Sequence, residues 1–176
     1  MAKLDYLGEK LLDSRIKVSM PYITGRLLDL GCGTNKLVRN YRGEGVGVDV
    51  FDFGDVDLIV EDSSKIPFED ESFDTITILA ALNHIPNRER VLQEMHRLLK
   101  PDGKLLVTMI SPLISFCWHT LRAPWDRDQK ERGMEEGEVY GITPQEMIKM
   151  LETAGFCVQS KKRFMLGLNR LYIVQK

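Results

Sequence analysis

Apolar and polar positions change period along the chain, and the changes predict strands that alternate with helices. Mainly apolar runs typical of buried strands occupy residues 27–30, 45–50, 59–60, 73–79 and 104–110. Two segments have helical spacing instead: Leu4, Leu7, Leu11 and Leu12 in the first, and Val91, Leu92, Met95, Leu98 and Leu99 in the second. They predict an amphipathic N-terminal helix within residues 1–20, ended by Pro21, and another over 88–99.

The C-terminal part adds a helix and a hairpin. Thr143 and Glu146 have the spacing of a capping box, which predicts a helix that Gly155 ends. Residues 157–164 and 171–174 are typical of two strands close enough in sequence to pair antiparallel. The alternation as a whole predicts an α/β fold, with a parallel sheet covered by helices on both faces.

The first apolar run contains Asp29 and ends in Gly31-Cys32-Gly33. A strand must turn into a helix here, and the glycines remove the Cβ atoms that would keep a ligand from the backbone. The stretch is therefore a candidate nucleotide-binding turn, although a glycine pair after a strand is also common in ordinary tight turns. The dinucleotide fingerprint requires a third glycine where this chain has Lys36, which disfavours NAD.

Acids stand at the ends of the next two predicted strands. Asp49 ends the second strand and is suited to accept hydrogen bonds from two ribose hydroxyls; capping a helix is its structural alternative. Asp62 ends the third, and its alternative is to cap the turn that follows. Residues 50–56 leave too little chain for a crossover helix, so we expect an irregular crossover or a very short third strand.

These motifs resemble the class I S-adenosylmethionine-dependent methyltransferases, from about Gly25 to Lys176. The similar segments follow the family's order: the glycine-rich loop at 29–33, the ribose acid at Asp49, the adenine-contacting Asp62 and Ser63, and the segments 66–68, 73–74, 83–85 and 99–103. Two positions depart from the family pattern. Asn35 stands where many members carry a third glycine, although Asn tolerates left-handed backbone, and Asn83 replaces a common glutamate.

The resemblance implies a Rossmann-like three-layer α/β/α sandwich, whose mostly parallel seven-strand sheet includes an antiparallel C-terminal strand. It implies S-adenosylmethionine as cofactor and S-adenosylhomocysteine as product. In the family's pattern Asp29 attracts the ammonium group, Asp49 holds the ribose, and Asp62 with Ser63 frames the adenine. The cofactor-binding residues implied are Asp29, Gly31, Cys32, Gly33, Asp49, Val50, Asp62, Ser63 and Ala80.

His84 follows the fourth predicted strand, at the sheet edge where ligands bind in open α/β sheets. An imidazole titrates near neutral pH, so His84 is the candidate catalytic base. A histidine that packs against the loop and only shapes the pocket is an equal alternative. His96 lies on a predicted helix and is expected to be inert.

Residues 111–142 form the least regular segment and are expected to be a lid-like insertion. Its candidate acceptor-binding residues are Trp118, His119, Arg122, Trp125 and Tyr140. The alternative is a satellite hydrophobic cluster, followed by a solvated charged tail.

Composition limits the possibilities further. With 176 residues, 43% of them apolar, the chain is expected to form a single domain, residues 1–176. A net charge of −2 disfavours a dedicated nucleic-acid binder, and Lys161-Lys162-Arg163 is expected to be a solvated face. The three scattered cysteines indicate neither a disulfide framework nor a metal site. Without a signal-peptide or bilayer-spanning segment, the sequence favours a cytoplasmic monomer or homodimer.

Together these observations favour a methyltransferase that acts on oxygen or nitrogen of a small molecule or glycoconjugate. A module that binds the cofactor or its demethylated product without turnover is the alternative, and the missing glutamate before His84 keeps it open. An NAD-dependent oxidoreductase fits less well, because Lys36 and the terminal hairpin both count against it.

Overall fold

A computed structural model describes residues 6–110, 112, 139 and 141–176. The helices in this part of the chain are α1 (Tyr6–Ser19), α2 (Lys36–Asn40), α3 (Arg88–Leu98) and α4 (Pro144–Thr153), with 3₁₀ turns at Met20–Tyr22 and Leu82–His84. The strands are β1 (Leu27–Leu30), β2 (Gly45–Asp49), β3 (Leu58–Ile59), β4 (Phe73–Leu79), β5 (Leu99–Ile110), β6 (Cys157–Phe164) and β7 (Asn169–Gln175).

The strands form one sheet in the order β3-β2-β1-β4-β5-β7-β6. The first five in this order run parallel, whereas β7 is antiparallel to both β5 and β6. This confirms the predicted mostly parallel seven-strand sheet with an antiparallel C-terminal strand. The carboxyl ends of the five parallel strands, β1 to β5, lie at one edge of the sheet. The β6–β7 hairpin turns at the same edge, beside the end of β5, because Ile110 pairs with Asn169.

Helices cover both faces of the sheet and produce three layers. On one face, α1 and α2 contribute Ile16 and Leu37 to a buried cluster with Leu27, Leu106 and Leu171 of the strands. On the other face, α3 and α4 pack against Leu28, Ile76, Leu105 and Tyr172 through Val91, Met95, Met147 and Leu151. Neighbouring strand residues thus point to opposite clusters, which is why the central strands carry apolar residues on both faces.

The predicted helix ends agree with the structure. α1 stops at Ser19, directly before the turn that contains Pro21. The capping box of α4 is present, since the Glu146 N–H donates to Thr143 Oγ1 (3.3 Å) and the Thr143 N–H donates to Glu146 Oε2 (2.9 Å). Gly155 follows α4 with φ of 94°. Polar end groups of the helix are satisfied by the residue types that the sequence places there.

The short third strand agrees with expectation, whereas the start of β5 does not. β3 is only two residues long and is reached without a helix, which confirms the short third strand expected after the brief crossover. β5 begins at Leu99, not at residue 104, because Leu99 already pairs with Phe73. The register then skips to Lys104 opposite Thr75, and Asp102 takes up the extra chain length with φ of 65°. Residues 101–103 therefore form an irregularity inside the strand.

Most of the predicted insertion, residues 111–142, lies outside the described residues. No helix among the described residues is long and apolar enough to cross a membrane.

Candidate functional site

Glycine is present at the two positions after β1 for different structural reasons. Gly31 and Gly33 both adopt left-handed backbone, with φ of 71° and 54°. A Cβ atom on Gly31 would lie 2.3 Å from Ala81 Cβ, whereas one on Gly33 would meet nothing within 4 Å. Packing against the loop after β4 thus requires Gly31, while Gly33 borders open space that a ligand can approach.

The backbone N–H groups of the turn are directed into the protein. The Gly31 and Cys32 N–H groups donate to the Val48 carbonyl oxygen (2.8 and 3.2 Å), and the Gly33 N–H donates to Asp49 Oδ2 (2.9 Å). Cys32 is buried, and burial together with nearby carboxylates raises the pKa of its thiol. Because all three of these N–H groups already have acceptors and the Asp49 carboxylate lies beside them, the turn is unsuited to binding a phosphate group.

Asp29 is a buried carboxyl group held by one side chain. It is 3% exposed, and Thr77 Oγ1 donates to its Oδ1 at 2.6 Å. Burial raises the pKa of Asp29 to about 7, against the lowering effect of Thr77 and with a smaller raising effect of Asp49. Among the described residues Asp29 has no ion-pair partner, so a cationic ligand group beside it would supply the missing charge.

Asp49 joins the turn to the chain that follows β2. Its Oδ2 accepts from Gly33, and its Oδ1 accepts the N–H groups of Val50 (2.8 Å) and Phe51 (3.2 Å). The side chain is 7% exposed. The carboxylate thus lies next to the open space at Gly33, where hydroxyl groups of a ligand could donate to it. It also caps the loop after β2, which is similar to the helix-capping role given above as its alternative.

Asn35 confirms the expectation that asparagine can replace the third glycine. It is buried with φ of 58°, and its Nδ2 donates to the Asp55 carbonyl oxygen (2.9 Å) and to Asp57 Oδ2 (2.8 Å). Asp57 Oδ2 also accepts the Gly47 N–H (2.8 Å), and a Cβ on Gly47 would lie 2.1 Å from Asn35 Oδ1. Asn35 thereby fastens the glycine turn to the β2–β3 crossover, a role that the sequence reasoning missed.

Asp62 caps a turn, as its structural alternative proposed. Its Oδ1 accepts from the Ser64 N–H (2.9 Å), from Ser64 Oγ (2.7 Å) and from Asn87 Nδ2 (3.2 Å). The bonds from Ser64 are the main reason why the pKa of Asp62 is lowered. Ser63 beside it is buried. Contact of Asp62 and Ser63 with adenine stays a prediction.

Phe51 and Phe53 were not predicted to belong to the site. Both are exposed (53% and 41%), and their rings pack edge to face with centroids 5.0 Å apart. They follow Asp49 directly, on the crossover that lacks a helix. The sequence did contain a signal for them, namely two aromatic residues separated by one position just after the acid that ends β2. Exposed aromatic rings beside a polar site offer a surface on which a ligand ring can stack.

The loop after β4 lies against the glycine turn. Ala80, a predicted cofactor residue, has left-handed backbone with φ of 59°, and its N–H donates to the Thr108 carbonyl oxygen. His84 ends the 3₁₀ turn and donates its N–H to the Ala81 carbonyl oxygen (2.9 Å). The buried Asn83 accepts the Val139 N–H at its backbone oxygen (3.0 Å). The predicted base is thus placed on the same sheet edge as Asp29 and Asp49.

His96 is not brought to this edge. His96 packs edge to face against Phe156 (5.2 Å), which agrees with a structural histidine. The candidate acceptor-binding residues lie outside the described residues, namely Trp118, His119, Arg122, Trp125 and Tyr140.

Residues 28–107 match a family described as a methyltransferase domain. A demethylmenaquinone methyltransferase of Paenarthrobacter aurescens is 32% identical over 108 residues, which cover 54% of this chain and 43% of the relative. A ubiquinone/menaquinone biosynthesis C-methyltransferase of Ectopseudomonas mendocina is also 32% identical, covering 54% and 47%. The chain thus spans less than half the length of these curated relatives.

A solved structure of a SAM-dependent methyltransferase from Aquifex aeolicus superposes on the chain with a TM-score of 0.69. Its sequence identity is 18%, with coverage of 98% of this chain and 95% of that one. The likeness extends over nearly all of both chains and confirms the Rossmann-like fold.

Proposed function

We propose that the chain, whose residues 28–107 match a methyltransferase-domain family, transfers a methyl group from S-adenosylmethionine to a small-molecule acceptor. The observation that carries the proposal is the pair of carboxyl groups beside the open glycine turn. Within the described residues Asp29 is buried without an ion-pair partner, Asp49 Oδ2 accepts the Gly33 N–H, and open space adjoins Gly33. A ligand with one ammonium group and one ribose matches this arrangement.

The residues at the edge would bind the parts of the cofactor in sheet order. Asp29 pairs with the ammonium group of the methionine part, and the backbone at Gly33 leaves room for that part to pass. Asp49 accepts hydrogen bonds from the ribose hydroxyls. Val50 and Phe51 supply apolar surface for one side of the adenine, and Asp62 with Ser63 lies beyond β3 on the other.

Few catalytic demands remain once the reactants are in place. Bound S-adenosylmethionine supplies an electrophilic sulfonium methyl group. The protein therefore has to hold the acceptor in line behind the methyl group, exclude water and accept a proton where the acceptor loses one. His84 is the proposed base, because it stands on the β4 loop that packs against Gly31.

The curated relatives favour one acceptor class for the first assay. They are named for demethylmenaquinone methylation and for C-methylation in ubiquinone and menaquinone biosynthesis. We propose a quinone-like ring as the acceptor to test before oxygen or nitrogen acceptors, including glycoconjugates. The oxygen or nitrogen acceptor expected from the sequence remains the alternative.

The geometry argues against a nicotinamide dinucleotide. A pyrophosphate needs free backbone N–H groups at the turn, but those of Gly31, Cys32 and Gly33 already have acceptors. The carboxylate of Asp49 beside them would also repel a phosphate. A module that binds S-adenosylmethionine without turnover is compatible with the same contacts, so the assay has to measure binding and turnover separately.

Isothermal titration with S-adenosylmethionine, S-adenosylhomocysteine and NAD tests the binding site. We expect saturable binding of the first two, no binding of NAD, and a loss of about 100-fold in affinity for Asp49→Ala, since two charge-assisted hydrogen bonds are removed. Asp52→Ala is the matched control, because Asp52 is an exposed acid three positions away that accepts only from Gly54 in the described structure. Binding of NAD alone would contradict the proposal.

Turnover is measured with a reduced, short-chain demethylated naphthoquinone, by mass spectrometry of the product. His84→Ala should bind the cofactor as wild type does but lose most of its kcat. Equal kcat in wild type and His84→Ala would leave the histidine a packing role. Cofactor binding without turnover on carbon, oxygen or nitrogen acceptors would favour the binding module.

A further inference from the structure

The tip of the β6–β7 hairpin exposes apolar side chains at the functional edge of the sheet. Leu166 is fully exposed (103%) and Leu168 is 41% exposed, whereas most of the adjoining β7 strand is buried. The tip lies beside the end of β5, two strands from β4 and so about 10 Å from it. An apolar tip therefore stands on the same edge as the proposed cofactor and acceptor sites.

The backbone of this tip is strained for the residues it carries. Met165, Leu166 and Gly167 all have left-handed φ, of 52°, 56° and 85°. Hairpin turns with this backbone favour asparagine and glycine, because other side chains crowd the carbonyl group. Leu166 has neither a favourable conformation nor a buried contact in return. Strain at an exposed apolar residue is typical of a binding loop rather than of a plain connection.

Basic residues surround the tip. The stretch 161–170 holds four of the chain's 24 basic residues and none of its 26 acidic residues, although the whole chain has a net charge of −2. Arg163 lies directly opposite Arg170 across β6 and β7, and Lys161 shares the strand face of Arg163. Within the described residues none of these three makes an ion pair. Like charges opposite each other destabilise a sheet unless an anion neutralises them.

Protection of an edge strand explains only part of this pattern. Charges on an outermost strand prevent sheets of different molecules from pairing, which would account for Lys161 and Arg163 on β6. Arg170 is on β7, which is already paired on both sides. An exposed leucine at the tip would promote association instead of preventing it.

We propose that the β6–β7 hairpin binds the surface of an anionic lipid bilayer, with Leu166 and Leu168 entering the interface and Lys161, Arg163 and Arg170 contacting lipid head groups. An apolar tip surrounded by cations is the combination that bilayers with acidic lipids attract. The arrangement orients the edge that carries Gly33, Asp49 and His84 toward the membrane. Delivery of a membrane-dissolved acceptor to that edge rests on the proposed function, but the binding itself does not.

Vesicle co-sedimentation without cofactor tests the proposal at low and physiological salt. Vesicles of phosphatidylcholine with 30% phosphatidylglycerol, an amount on the order of that in acidic membranes, are compared with pure phosphatidylcholine. We expect wild-type protein to bind the mixed vesicles and to be released by salt. Arg163→Gln with Arg170→Gln should weaken binding about 10- to 30-fold, and Leu166→Ser by about tenfold.

Two control variants match these changes elsewhere on the surface. Arg42→Gln removes an exposed cation just before β2, at the opposite sheet edge, and Ile59→Ser removes an exposed apolar residue from the other edge strand. Both should bind vesicles as wild type does. Circular dichroism and thermal melting establish that every variant is folded.

Several results would overturn the inference. They are an absence of wild-type binding at low salt, equal binding to both vesicle types, or a loss in Arg42→Gln as large as in the hairpin variant. A dimer that Leu166→Ser dissociates, with no vesicle binding, would assign the tip to a second copy of the chain. If S-adenosylmethionine binding fails while vesicle binding is retained, the proposed function falls and the membrane proposal stands.

Discussion

The two halves of the functional sheet edge are built in opposite ways. At the end of β1 and β2, acidic side chains are buried and nearly every polar group has a partner within the protein, as Asp49 does with Gly33. At the β6–β7 end, cations face each other without acids and Leu166 is fully exposed. Internal hydrogen bonds hold the first half in place, whereas in the second half Arg163 and Arg170 lack ion-pair partners among the described residues and Leu166 is exposed to solvent.

This difference indicates what each half has to bind. A site for a small charged ligand must hold its groups in fixed positions before the ligand arrives, and buried hydrogen bonds fix them. A surface for a fluid bilayer needs charge and apolar area but no fixed geometry. Substitutions in the first half should therefore change stability strongly, and substitutions at the hairpin tip should not.

Gly31→Ala should have the largest effect on stability. The new Cβ would lie 2.3 Å from Ala81 Cβ, on backbone with φ of 71°, so overpacking and left-handed strain add to about 3 to 5 kcal/mol. Urea denaturation followed by circular dichroism measures the loss. Gly33→Ala is the matched comparison, since it meets open space and should cost only about 1 to 2 kcal/mol. Gly33→Ala should nevertheless weaken S-adenosylmethionine binding. Equal losses of stability in the two variants would refute the different roles assigned to Gly31 and Gly33.

Asp29→Asn should change how stability depends on pH. The folded-state pKa of Asp29, about 7, is above the ordinary value, so the folded protein holds a proton between pH 4 and 7 that the unfolded chain releases. Stability from this group is therefore present at low pH and lost as pH rises through 7. Asp29→Asn removes the effect and should be more stable than wild type by up to about 4 kcal/mol at pH 8 and by about 1.5 kcal/mol at pH 5, but similar below pH 4.

Ligand affinity should respond to pH in the opposite direction. An ammonium group favours the Asp29 carboxylate, so S-adenosylmethionine should bind wild type more tightly at pH 8 than at pH 6. Asp29→Asn should bind weakly at both values. Titration calorimetry and thermal melts at the two pH values separate these effects, and parallel pH profiles for both proteins would contradict the assignment.

Asn35→Ala should loosen the crossover between β2 and β3. The change removes hydrogen bonds to Asp55 and Asp57 and leaves alanine on left-handed backbone, at a cost of about 2 to 3 kcal/mol. Asn35→Gly keeps the backbone conformation and loses only the hydrogen bonds, so it should be less destabilised. Hydrogen exchange of residues 50–57 reports the loosening. Unchanged exchange in both variants would show that the crossover is held by other contacts.

The sequence predicted the first half of the edge better than the second. Gly31, Asp49 and Thr143 belong to local sequence patterns, namely a glycine pair after a strand, an acid at a strand end and a capping box, so the sequence alone could single them out. The sequence indicated that asparagine at position 35 tolerates left-handed backbone. Its hydrogen bond to Asp57 was not predictable, because it depends on the path of the β2–β3 crossover, which no local pattern specifies. The burial that raises the pKa of Asp29, and its bond from Thr77, likewise need the packed sheet.

The hairpin shows the same limit from the other side. The strands 157–164 and 169–175 are nearly as predicted, because alternation and the short loop are local signals. The sequence interpretation of Lys161-Lys162-Arg163 as a solvated face could not include Arg170. That residue comes to lie opposite Arg163 only through the β6–β7 register. Cross-strand charge pairs become visible only when the register is known.

Leu166→Asn should have the smallest effect, and it should be a gain. Asparagine tolerates left-handed backbone better than leucine, and the fully exposed side chain gives up no packing, so stability should rise by up to about 1 kcal/mol. Thermal melting measures the change, with Ile59→Asn on extended backbone as the control that should not gain. A lower melting temperature for Leu166→Asn would mean that the leucine is packed against protein. In that case the hairpin tip would be as internally satisfied as the glycine turn, and the contrast between the two halves of the edge would be lost.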